Sequence, residues 1–78
     1  MKKLPYYMVV EKVAQQDGTV KLFPQFGDTS KAVAAQERLD LARCGFSLAD
    51  LTVVTLEYDE GTDPAFINVD VELAKIAA

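Results

Sequence analysis

Six carboxylates crowd residues 57–72 of this chain: Glu57, Asp59, Glu60, Asp63, Asp70 and Glu72. Paired carboxylates can act as general acid and base when a cleft separates their proton affinities. Asp59 with Asp70 is the pair to weigh, but a 78-residue chain seldom builds such a cleft. The run Asp59-Glu60-Gly61-Thr62-Asp63 invites a calcium reading. It lacks the twelve-residue ligand pattern that ends in a bidentate Glu, so we read it as an exposed acidic turn without a metal. The chain has no His and one Cys, which excludes imidazole catalysis and a tetrahedral zinc site. Cys44 falls at the predicted C-terminal end of a helix, whereas reactive thiols favour N-terminal ends. We read it as structural. No cofactor motif is present. Gly27-Asp28-Thr29-Ser30-Lys31 superficially suggests a phosphate loop, but the spacing is wrong and Asp28 would repel a phosphate, so the segment reads as a helix cap.

The acids matter more as a field than as catalysts. Residues 1–43 carry seven Lys and Arg against five Asp and Glu, whereas residues 44–78 carry Lys75 alone against seven acids. The halves are therefore +2 and −6 within a total of −4. Lys2, Lys3, Lys12, Lys21, Lys31, Arg38 and Arg43 are scattered rather than striped, and the pI is about 4.5. Direct nucleic-acid binding is disfavoured. A one-signed acidic surface instead suits a basic partner, or simply keeps a small protein soluble.

Something must position these residues. Tyr6 to Ala14 and Thr19 to Phe26 are rich in aromatic and β-branched residues, and Asp17-Gly18 between them signals a two-residue hairpin turn. That turn sets Val13 opposite Leu22 and puts Tyr6, Met8, Val10 and Phe23 on one face. Pro24 marks the second strand as an edge. A helix is expected from about Ser30 to Cys44, with Gly45 just beyond its end. Leu51 to Tyr58 reads as a third strand. Ile67, Val69, Val71 and Leu73 alternate with Asn68, Asp70 and Glu72, a period of two that predicts a fourth strand. Val69, Leu73 and Ile76 also fit a helical period, so residues 70–77 admit either reading.

The expected fold is a single α+β domain over 1–78, ordered ββαββ, with one four-stranded sheet and a single helix on one face. This order resembles the ubiquitin-like β-grasp domains, which implies that strands 1 and 4 pair in parallel at the centre. The other sheet face would be open. It would show Tyr6, Met8 and Phe23 on one hairpin and Glu57, Asp59, Asp70 and Glu72 on the other.

From this we expect a non-enzymatic module that binds a protein with a basic surface. Glu57, Asp59, Glu60, Asp63, Asp70 and Glu72 would steer the partner, and Tyr6, Met8 and Phe23 would anchor it. In size and lack of catalytic motifs the chain resembles small anti-CRISPR and DNA-mimic proteins of phage and mobile elements. That implies an inhibitor occupying a nucleic-acid site. The competing expectation is a homodimeric scaffold that buries the open face or the stripe Val33, Leu41 and Cys44. No run approaches the roughly 20 apolar residues of a membrane span. The basic leader Met1-Lys2-Lys3 is followed by no cleavage site, so a cytoplasmic protein is expected.

Overall fold

Only one residue of the Asp17-Gly18 turn enters the left-handed region. Gly18 has φ +88, and among the described residues no non-glycine has positive φ. A type I′ turn needs both central residues there. The chain instead makes a three-residue loop: the Gly18 N–H donates to the Gln15 carbonyl at 3.1 Å, and the Gln15 N–H donates to the Thr19 carbonyl at 2.8 Å. Asp17 is recruited into this turn, where its carboxylate accepts from the Thr19 N–H at 3.0 Å and the Thr19 hydroxyl at 2.6 Å. Those donors hold the Asp17 carboxyl below its ordinary range. The turn gains support above the unfolded carboxyl pKa and loses it as pH falls through the depressed folded value. Thr19→Val should move the Asp17 titration upward when followed by NMR; an unmoved midpoint would remove the bond.

The computed structural model describes residues 2–77. Strands β1 (Lys3–Ala14), β2 (Val20–Asp28) and β3 (Leu51–Asp59) form one antiparallel sheet in the order β2-β1-β3. Helix α1 (Lys31–Arg43) joins β2 to β3, and α2 (Val69–Ala77) follows β3. Short 3-10 turns occupy Leu48–Asp50 and Pro64–Phe66. The expected four-stranded sheet with one helix is therefore corrected to three antiparallel strands and two helices. β1 is central, but both its neighbours run antiparallel to it, so the parallel pairing implied by the grasp resemblance does not occur.

The longer turn also shifts the hairpin register by one. Val13 faces Lys21 and Lys12 faces Leu22, which turns the start of β2 over. A bulge at Gln25 then resets the count, so that Phe26 faces Val9. Pro24 lies beside that bulge on an edge strand, where its missing N–H costs no ladder bond.

Helix α1 follows its sequence signals closely. The Ser30 hydroxyl accepts from the Val33 N–H at 3.3 Å, and Gly45 beyond the last turn has φ +114. It covers the sheet face of Val9 and Leu51, packing Ala34 against them. The predicted fourth strand is helix α2. Asn68 caps it, accepting from the Val71 N–H at 3.3 Å through its side chain and from the Glu72 N–H at 3.1 Å through its carbonyl. Asp70 and Glu72 in the first turn and Lys75 in the last suit the helix dipole. Leu73 docks on Met8, Val10 and Leu56, closing the face expected to be open. Met8, Val9 and Val10 are consequently buried in succession, as a strand covered on both faces requires. No helix among the described residues is long and apolar enough to cross a membrane.

Candidate functional site

The proposed anchor does not assemble as a patch. Met8 lies buried under α2. Tyr6 is half-buried on the same face, its ring edge-on to Tyr58 with centroids 6.4 Å apart. Phe23 pairs with Glu11, on the opposite sheet face from Tyr6, because the register shift turned β2 over. It is 37% exposed, with the Lys21 ammonium 4.9 Å from its ring centroid.

The carboxylates fare differently. Glu57 and Asp59 come from the end of β3, Asp63 from the following loop and Glu72 from the first turn of α2. All four line one shallow hollow with Lys3 and Phe66. The elements converge because Asp59 faces Lys3 across the β1–β3 ladder, while Asp63 turns the chain back by capping the 3-10 turn, accepting from the Ala65 N–H at 2.9 Å. Lys3 and Asp59 form an ion pair at 2.6 Å. That contact, reinforced by Glu57 and Glu72, raises the affinity of Lys3 for its proton above the ordinary lysine value. One ammonium against four carboxylates leaves the hollow net negative. Glu60 is exposed beside it, and its N–H continues the ladder to the Lys2 carbonyl at 2.9 Å.

Asp70 stands apart. It lines a groove between α2 and the β1–β2 turn, together with Asp17, so the Asp59–Asp70 pair weighed for acid–base chemistry is not brought together. Cys44 is exposed at the end of α1. Among the described residues no group of three His, Cys, Asp or Glu is placed to hold a metal ion.

No protein family, curated protein or solved structure matches this chain.

The residue that sequence reasoning passed over is Phe66, which is 85% exposed beside these acids. A strand over 67–73 gives the preceding Phe66 nothing to single it out. The available signal was Asp63-Pro64: a cap followed by proline at the first helical position starts a short turn, and Phe66 is its last residue. An exposed aromatic ring among carboxylates suits a Lys or Arg, which the ring face and the acids attract together.

Proposed function

We propose that this chain is a non-enzymatic protein-binding module, with Glu57, Asp59, Asp63 and Glu72 steering a basic partner onto Phe66. The observation that carries the reading is Phe66 itself, 85% exposed inside a carboxylate-lined hollow. A ring left in water at a charged corner gains most by being desolvated against a partner. Glu60 extends the same field, whereas Asp70 drops out of the contact. The partner class is a cytoplasmic nucleic-acid-binding protein whose basic site this corner occupies, in the manner of a small phage-type inhibitor. The lone, unpaired Cys44 is compatible with a reducing compartment.

The test compares immobilised wild type with Phe66→Ala and with a Glu57/Asp63/Glu72→Gln variant, exposed to host lysate at low and raised salt. A discrete basic protein should be retained by wild type. Phe66→Ala should weaken its binding by roughly 30-fold, the size of a hot spot. The Gln variant should slow association and flatten the salt dependence. Retention that both variants leave unchanged would reject the corner as a binding site.

A further inference from the structure

The two edges of the sheet are not equivalent. The Glu60 N–H bonds to the Lys2 carbonyl, and this pair belongs to the β1–β3 register. Even-numbered residues of β3 therefore direct their backbone groups to β1, and odd-numbered residues direct theirs outward. Two of the outward positions are locked. The Leu51 carbonyl accepts from Arg38 Nε at 2.8 Å, and its N–H donates to the Leu48 carbonyl. The Asp59 carbonyl accepts from the Thr62 N–H at 3.0 Å and the Thr62 hydroxyl at 2.6 Å. Between these locks the N–H and C=O groups of Val53, Thr55 and Glu57 have no partner among the described residues. The β2 edge, by contrast, carries Lys21, Pro24 and a bulge, the usual devices that blunt an edge. On β3 the run Leu51-Thr52-Val53-Val54-Thr55-Leu56 is uncharged, mostly β-branched and unbroken.

We infer that the β3 edge pairs with the β3 edge of a second copy of this chain, antiparallel and two-fold about Thr55. The open window is symmetric about that residue. Val53 of one copy stands opposite Glu57 of the other, Thr55 opposite Thr55, and every free donor and acceptor in the window is used. Charge along β3 fits the same arrangement. Its start is held by the Arg38 guanidinium on the α1 face, and its end presents Glu57 and Asp59 on that face. Antiparallel pairing sets the Arg38 end of each copy against the Glu57 end of the other. Glu57 meets Val53 across the seam rather than another carboxylate, avoiding the like-charge opposition that weakens sheets. Leu39 and Leu48 flank the Arg38 lock, 41% and 42% exposed, and supply apolar surface for the junction. The product is a continuous six-stranded sheet with an isologous interface. Phe66 is not needed for this pairing, and Glu57, which both readings use, is unchanged in variants at Thr55, so those variants test the dimer apart from the basic-partner reading.

Sedimentation velocity across concentration should show the mass rising from 8.6 kDa to twice that value. The small contact implies roughly micromolar dissociation. In the dimer the Val53, Thr55 and Glu57 amides should be protected from exchange, which dilution removes. Thr55→Pro deletes an outward N–H without touching the β1 ladder, and should give a folded monomer. Because that variant can fail to fold, Thr55→Cys in a Cys44→Ser background provides the second arm. Hydrogen-bonded antiparallel partners sit about 5.5 Å apart at Cα, within disulfide range, so mild oxidation by diamide should trap a covalent dimer. Thr29→Cys in the same background, beyond the end of β2, should not be trapped. A monomer at every concentration overturns the proposal, as does a dimer that Thr55→Cys fails to capture.

Discussion

Leu73→Ala is expected to lower unfolding free energy by about 2–5 kcal/mol, enough to leave the chain close to half unfolded at room temperature. Leu73 is 3% exposed and is the buried residue through which α2 grips Met8, Val10 and Leu56. A nine-residue helix does not hold itself together in water, so removing that grip releases α2 and exposes a whole sheet face. Urea titration, followed by circular dichroism and tyrosine fluorescence, would read the shift in midpoint. Val71→Ala is the informative companion. In the alternating-strand reading, Val71 and Leu73 point the same way and their truncations should cost alike. In the helix Val71 turns outward, 47% exposed, and its loss should stay within about 0.5 kcal/mol. Equal costs at the two positions would restore the strand; a several-fold difference is the helical result.

The same pair of residues shows why part of the fold was hidden in the sequence. Ile67, Val69, Val71 and Leu73 satisfy period two, while Val69, Leu73 and Ile76 satisfy period 3.6. Four alternations cannot separate the templates. The decision rests on the flanking residues: Ala74-Lys75-Ile76-Ala77 are mostly strong helix formers, and Asn68 is a ready cap. Helix α1 was legible because its cap, length and terminal glycine agreed with one another. The hairpin was legible as a hairpin but not in register. Asp-Gly serves a two-residue turn and equally the three-residue turn in which only glycine goes left-handed. One residue of difference carried Phe23 to the face opposite Tyr6.

The acidic site was legible as charge and partly as place. Glu57 and Asp59 share a strand face in any register, and Asp63 follows within one loop. Glu72 joined them although its expected strand proved to be a helix, because the turn at Pro64–Phe66 folds α2 back beside the end of β3. Asp70 precedes it by half a helical turn, so the same change sent it elsewhere. Phe66 was invisible as an anchor for a related reason. Its exposure depends on a 3-10 turn that hydropathy alone does not reveal.

Gly27→Ala should destabilise the protein by about 1–3 kcal/mol, although nothing in the local backbone requires glycine there. The positive-φ glycines among the described residues are Gly18, Gly45 and Gly61, and each has open space where a Cβ would stand. Gly27 is the reverse case. Its φ is ordinary, but a Cβ would fall 2.6 Å from Cε2 and 2.7 Å from Cζ of Tyr6, inside any real contact distance. The Tyr6 ring lies against the β2 backbone at Gly27 and meets Tyr58 edge-on, so it has to shift to admit a methyl group and disturbs its contact with Tyr58. Loss of the near-ultraviolet tyrosine signal should accompany the lost stability. The Tyr6→Ala background decides the cause. With the ring gone, Gly27→Ala no longer collides and only removes a flexible residue from a strand, which should stabilise by roughly 0.5–1 kcal/mol. The sign of one substitution would thus reverse with the presence of one ring. A cost that persists without Tyr6 would place the demand for glycine in the β2 backbone and would contradict the packing described for this edge of the sheet.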